Sequence, residues 1–201
     1  MLPVLAVCAA AAPARAQAER PPRPRMELAV GVGASLDDGG FDQAKGAAVP
    51  SFFVMGGFGS GTVGVDLGVF ASSAAGRYHD PNVMPVDRLG VQGVLVVRPL
   101  AELWPTDWRY GMRVVRLTAI DVGLGVERAS RFVRGPETVN RIGSLIGLHF
   151  DLPLTPLASP RELRLRLALR RFYGASRVTF PDGDPVINTR GELFAALAAV
   201  F

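Results

Sequence analysis

The sequence has one cysteine, one lysine and no long apolar run after its first eighteen residues. The single cysteine, Cys8, lies in that first segment, so the remainder forms neither a disulfide nor a thiolate metal site. No later run approaches the roughly twenty apolar residues of a spanning helix. Lys45 is the only lysine, and the arginines behind the formal charge of +4 form no basic run or helix. Nucleic acid is therefore not an expected partner.

The composition favours one domain rich in turns. A chain of 201 residues is most simply a single domain, and sandwiches or barrels of this size are common. Its 23 glycines and 16 prolines argue against a helical bundle.

The N-terminal region is typical of an export signal. Leu2–Ala12 forms an apolar core that is too short to span a bilayer, and Ala16-Gln17-Ala18 offers small residues at the usual cleavage spacing. We therefore expect a signal peptide over residues 1–18, an extended Pro/Arg-rich linker over residues 19–25 and one organised domain over residues 26–201.

Apolar residues alternate with small or charged residues throughout that domain. In one segment Ile120, Val122 and Leu124 alternate with Asp121 and Gly123. A period of two predicts β-strands. The predicted strands are Glu27–Leu36, Ser51–Gly59, Thr62–Ser72, Arg88–Arg98, Thr118–Glu127, Arg141–Asp151, Leu163–Phe172 and Gly191–Phe201.

The less apolar face of these strands distinguishes a barrel from a sandwich. It consists of Gly and Ala with isolated charges, which suits a crowded barrel interior, whereas a soluble sandwich would expose Lys, Glu, Ser and Thr. Strands of about ten residues also match a tilted membrane crossing. The pattern predicts an all-β, eight-stranded, antiparallel up-and-down transmembrane β-barrel. A soluble secreted β-sandwich is the alternative fold.

The connections between the predicted strands alternate in length. Long polar outer loops are expected at Asp37–Pro50, Ser73–Asp87, Ala129–Asn140 and Tyr173–Arg190, and shorter periplasmic turns at Gly59–Gly61 and Pro153–Glu162. Pro99–Arg116 is too long for a simple turn. Its Trp104, Trp108 and Tyr110 are expected to be interfacial aromatics, with a soluble cap under the barrel as the alternative.

The final segment resembles the closing strand of bacterial outer-membrane barrels. Leu193, Leu197 and Phe201 lie on one face of it, and the chain ends on the aromatic residue. Residues 26–201 as a whole resemble the small OmpA/OmpX-type barrels. The resemblance implies a monomer in the outer membrane of a Gram-negative bacterium, in contact with outer-membrane lipid and lipopolysaccharide. It also implies recognition by the barrel-assembly machinery through Leu197 and Phe201.

Charged residues on the inward face form the candidate site. Near-balanced buried charges in a narrow lumen predict a salt-bridge plug, and therefore a barrel for envelope integrity and display of surface loops. A narrow channel or a carrier for small or hydrophobic solutes is the alternative. The charges expected in the periplasmic half are Glu27, Asp66, Arg98, Asp121, His149, Asp151, Arg164 and Arg166. Those expected near the outer rim are Glu127, Arg170 and Glu192.

Catalysis and cofactor binding are not expected. His149 and Ser144 fall on opposite faces of one strand, and His79 has no partner motif. The segment Gly59–Gly64 matches a nucleotide-binding glycine pattern, but a strand follows it instead of a helix. Asp37-Asp38 and Asp182-Gly183-Asp184 could at most bind a hard cation weakly.

Overall fold

The computed structural model describes residues 24–37, 48–73, 87–101, 114–115, 117–131, 137–155, 161–174 and 189–201. They form eight strands, as predicted. The strands are β1 (Arg25–Asp37), β2 (Ala48–Gly59), β3 (Val63–Ser72), β4 (Asp87–Val97), β5 (Thr118–Arg131), β6 (Glu137–Pro153), β7 (Glu162–Gly174) and β8 (Thr189–Val200).

The strands close into one barrel. Each strand pairs antiparallel with the next in sequence order, and β8 pairs with β1 from Glu27↔Val200 to Asp37↔Arg190. This topology confirms the antiparallel up-and-down barrel and excludes the sandwich. We call the end where β1 begins and β8 finishes the terminal end, and the opposite end the far end.

The period of two separates the two faces of the wall. On β5, Val122 and Leu124 point outward and are 48% and 66% exposed, whereas Asp121 and Glu127 are buried inside. Strand geometry causes this separation because successive side chains point to opposite sides of a sheet. The outer surface is therefore apolar, and the interior holds the charged residues.

Interior glycines allow the wall to pack closely. A Cβ atom added to Gly31 would lie 2.6 Å from Cβ of Ala196, and one added to Gly33 would lie 2.6 Å from Cβ of Phe194. Small residues were expected inside, but the interior is not mainly Gly and Ala. It also buries large apolar side chains, because paired guanidinium and carboxylate groups leave space that rings can fill. These side chains are Phe53, Phe70, Phe172, Phe194 and Leu145.

Two connections can be compared with their predictions. Ser60 forms a tight turn between β2 and β3, in which its backbone N–H donates to the carbonyl oxygen of Val63 at 2.8 Å. The prediction of a long outer loop at Ala129–Asn140 is wrong, because only residues 132–136 separate β5 from β6. Backbone pairing continues through polar residues such as Ser130↔Thr138, since ladder hydrogen bonds do not require apolar side chains.

Several predictions lie outside the described residues. These are the signal peptide and most of the linker, the interfacial aromatics Trp104, Trp108 and Tyr110, the loop histidine His79, and Asp38, Asp182 and Asp184. Within the described part of the chain, no helix is long and apolar enough to cross a membrane.

Candidate functional site

The terminal half of the interior is organised around one arginine. Arg166 of β7 is fully buried, and its Nε donates to Oδ1 of Asp151 at 2.8 Å while Nη2 donates to Oδ2 at 3.1 Å. Its Nη1 donates to Asp66 Oδ2 at 3.2 Å, and Nη2 also lies 2.5 Å from Glu27 Oε1. Three carboxylates from three other strands thus surround one guanidinium. We call these four residues the terminal-end cluster.

Further ion pairs connect this cluster to the barrel mouth. Arg98 and Arg164 each place a guanidinium nitrogen 3.5 Å from Asp151 Oδ2. Glu162 pairs with Arg164 and with Arg25, whose Nη1 lies 2.8 Å from Glu162 Oε1. The Arg25 side chain is 53% exposed, so the network reaches water at the terminal end.

A second group lies deeper in the barrel. Asp121 of β5 accepts from Arg170 Nε at 2.7 Å, and its other oxygen lies 2.8 Å from Nδ1 of His149. Arg170 Nη1 also contacts the sulfur atom of Met55 at 3.2 Å. Arg170 was expected at the outer rim with Glu192, its Cα partner on β8. The pairing confirms that the two residues are neighbours, but the Arg170 guanidinium extends past Gly147 of β6 to Asp121 on β5.

An aromatic layer separates these groups from the far end. The rings of Phe53 and Phe194 stack with centroids 4.4 Å apart, and Phe70 lies 6.3 Å from Phe53. The Arg170 guanidinium carbon lies 4.9 Å from the Phe194 centroid, and that of Arg190 lies 4.3 Å from the Phe70 centroid. Cations thus pack against the layer from both sides, where cation–π attraction offsets part of their desolvation.

The far half of the interior is organised around one carboxylate. Glu127 of β5 is buried and accepts hydrogen bonds from Arg88, at 2.9 Å, and from Arg141 and Arg190. We call these four residues the far-end cluster. Arg190 also donates to Glu192, which accepts in addition from Gln92 Nε2 at 3.1 Å.

The structure places all eleven predicted charges inside the barrel and joins them to four residues that sequence reasoning missed. The missed residues lie near strand ends but share the inward parity of predicted sites, as Arg190 does with Glu192. Two of them begin a predicted strand and the other two lie one residue before one, so applying the inward parity over one further residue would have found all four. They are Arg88, Arg141, Glu162 and Arg190.

The described part of strand β6 does not bring its histidine and its serine together. His149 lies inside the barrel between acidic groups, and Ser144 of the same strand points outward, so the hydroxyl and the imidazole cannot react together. Among the described residues, no group of three or more His, Cys, Asp or Glu side chains could hold a metal ion. The chemistry of the interior is the mutual neutralisation of buried charges.

A closed eight-stranded antiparallel barrel with an apolar exterior and a charged interior is the fold of the small outer-membrane barrels of the OmpA/OmpX type. Neisserial surface protein A, NspA, is similar at 15% identity and a TM-score of 0.53, over 87% of this chain and 94% of that one. Ail, the attachment invasion locus protein of Yersinia pestis, is 12% identical with a TM-score of 0.48, over 89% and 99% of the two chains. The N-terminal barrel of Pseudomonas aeruginosa OprF is 10% identical with a TM-score of 0.44, over 90% and 100%.

No protein-family profile and no curated protein sequence matches the chain. The likeness to NspA therefore concerns the fold alone.

Proposed function

We propose that this protein is a non-enzymatic integral outer-membrane barrel whose lumen is closed by salt bridges. It contributes to envelope integrity and presents its outer loops at the cell surface. The observation that carries the proposal is the inversion of the two faces: large apolar side chains are exposed on every strand, while the charged side chains pair inside. Water does not favour that arrangement, but lipid does.

The dimensions of the outer surface support a membrane location. On β8 the outward apolar side chains run from Leu193 to Phe201. At about 3.3 Å per residue and a tilt of about 40°, this run covers roughly 20 Å, close to the ~25 Å apolar band of outer-membrane barrels. Phe58, Phe150 and Phe201 point outward near the terminal end, where an aromatic girdle is expected.

The closed lumen rests on the pairing within the interior. Among the side chains that the structure describes, seven acidic and seven arginine side chains point into the barrel, and the aromatic layer divides them. An eight-stranded barrel is just wide enough for its side chains, and buried charges are stable only when paired. Ion conduction would require this network to open.

The proposal includes the partners implied by its location. Outer-membrane lipid and lipopolysaccharide contact the outer face, and the barrel-assembly machinery recognises the strand that contains Leu197 and Phe201. The protein functions as a monomer in the outer membrane of a Gram-negative bacterium.

Fractionation and conductance test the proposal together. The protein should sediment with outer membranes, require detergent for extraction and migrate differently on gels before and after heating. In planar bilayers it should show little conductance. Recovery of folded protein from the soluble periplasm would refute the membrane location, and steady ion-selective channels would instead support the narrow-channel alternative.

A further inference from the structure

We propose that the outer face of β3–β5 binds one molecule of lipid A, the phosphorylated glycolipid of the outer leaflet. One acyl chain lies in a trough on this face, and a phosphate group pairs with Arg128. The inference rests on the proposed function, since it requires the barrel to span the outer membrane with its far end outward. It adds a specific lipid site to a surface that would otherwise contact lipid non-specifically.

The trough is a consequence of side-chain length. Val69, Val91 and Val126 lie in one row across β3, β4 and β5, because Val91 is the Cα partner of both other valines. All three point outward and are about half exposed. Their short side chains line an open surface depression of about 300 Å³. The valines make its lining largely apolar.

The next outward position on β4 extends the trough toward the terminal end. Gly93 lies between its Cα partners Leu67 and Leu124, which are 64% and 66% exposed. Because Gly93 has no side chain, a gap runs along β4 between the side chains of Leu67 and Leu124. A linear acyl chain fits this shape better than a globular group does.

A positive charge lies at the far end of the trough. Arg128 is the first charged residue on the outward face of β5 after Ile120, Val122, Leu124 and Val126, and it lines the depression with its cross-strand partner Asn140. No ion pair joins Arg128 to any residue that the structure describes. A long arginine side chain can reach the membrane interface, where a phosphate is its best-matched partner.

The charge and its position select the occupant. A neutral lipid would gain nothing from a guanidinium at the end of its acyl chain. Both features lie toward the far end, which faces the outer leaflet when the chain termini are periplasmic. The phosphorylated lipid of that leaflet is lipid A. Lipid A is therefore the expected ligand, in preference to the glycerophospholipids of the inner leaflet.

Two substitutions test the site without disturbing the interior. Arg128→Gln removes the charge, and Gly93→Leu fills the trough. A Cβ atom at Gly93 would meet only Cδ2 of Leu67 at 3.5 Å, which is ordinary contact, so the wall should tolerate the change. The matched controls are Arg171→Gln on the outward face of β7 and Gly56→Leu on that of β2, where the nearest atom lies 4.0 Å from an added Cβ.

Folded wild-type barrel in detergent is titrated with lipid A and followed by native mass spectrometry. We expect one lipid A per barrel. Arg128→Gln should weaken binding about tenfold, as the loss of one charge-assisted hydrogen bond would. Gly93→Leu should weaken it several-fold, because the added side chain occupies the space of the acyl chain. Both controls should stay within about twofold of wild type on the same affinity scale. Heat-dependent gel mobility checks that each variant is folded.

Two results would overturn the site. These are equal affinity for dephosphorylated lipid A and equal affinity of all four variants. They differ from failure of the proposed function, in which the wild-type protein itself would not insert into lipid vesicles. If the barrel inserts but binds every lipid with the same affinity, the lipid A site is refuted while the proposed function stands.

Discussion

The two charged clusters of the interior are built with opposite signs. The terminal-end cluster places the Arg166 guanidinium among three carboxylates, and the far-end cluster places the Glu127 carboxylate among three guanidiniums. In both clusters the central side chain is almost completely buried. Each cluster therefore depends on one residue to hold three like charges together.

This difference shows how a narrow barrel accommodates many charges. Like charges repel strongly at low dielectric, so three carboxylates or three guanidiniums persist only around a counter-charge. The central residue contributes to several pairs at once, whereas a peripheral residue can be lost while the others remain paired. Stability should therefore respond more strongly to the centres than to the peripheries.

Arg166→Met should have the largest effect. It leaves Asp151, Asp66 and Glu27 facing one another without their common cation, although Arg98 and Arg164 still reach Asp151. Breaking a buried ion pair costs about 3 to 5 kcal/mol. Urea unfolding in detergent micelles, followed by tryptophan fluorescence, measures the loss. Arg171→Met on the outward face of the same strand is the control, and an equal loss in both variants would contradict the central role of Arg166.

Glu127→Gln is the corresponding test at the far end, where the central residue is an anion and its three neighbours are cations. Glutamine keeps the shape and accepts hydrogen bonds but removes the charge that Arg88, Arg141 and Arg190 share. We expect a loss of about 3 kcal/mol in the free energy of unfolding, slightly below that for Arg166→Met because the hydrogen bonds partly survive. Glu162→Gln should cost less than Glu127→Gln, because the Arg25 partner of Glu162 is 53% exposed and stays hydrated when the charge is removed. If Glu127→Gln left the free energy of unfolding unchanged, water would have to solvate the three arginines.

Val122→Arg tests the separation of faces on which the comparison of clusters depends. Val122 points outward next to the inward Asp121, and it is 48% exposed. A charge near the middle of the lipid-facing band costs roughly 2 to 4 kcal/mol. Unfolding in lipid vesicles should show this cost, and Val122→Ala should show much less. Full tolerance of the arginine would mean that the outer face does not lie in lipid.

Asp151→Ala should cost less than loss of the centre. It removes the carboxylate that binds Arg166 through two nitrogens, but Asp66 and Glu27 still pair with that arginine. Arg98 and Arg164 also lose a contact with Asp151, but each keeps another carboxylate partner. We expect about 2 kcal/mol, and a smaller loss for Asp66→Ala, which removes a single hydrogen bond. Equal losses for Asp151→Ala and Arg166→Met would show that one pair, and not the shared centre, stabilises the terminal-end cluster.

The sequence predicts the strands and their faces because a period of two is a local property. It predicts poorly which charges pair, because pairing depends on how far each long side chain reaches across the lumen. Arg170 illustrates this limit: its neighbour on β8 is Glu192, but its guanidinium binds Asp121 on β5. Two strand ends were also missed: Glu162 and Arg190 each lie one residue before a predicted strand, where the apolar alternation has not yet begun.

The smallest effect on stability, and a larger one on assembly, is expected for Phe201→Ala. The backbone of Phe201 exchanges hydrogen bonds with Met26, at 2.9 Å and 3.3 Å, so the barrel can still close without the ring. The ring itself is 55% exposed on the outer face. Ala195 and Ala199 on the same face of β8 contribute only small apolar side chains. We expect unfolding in detergent to change by less than about 1 kcal/mol, because little buried area is lost. The yield in outer membranes should nevertheless fall several-fold, while Leu193→Ala leaves it unchanged. Equal membrane yields for Phe201→Ala and wild type would contradict recognition of this residue by the assembly machinery.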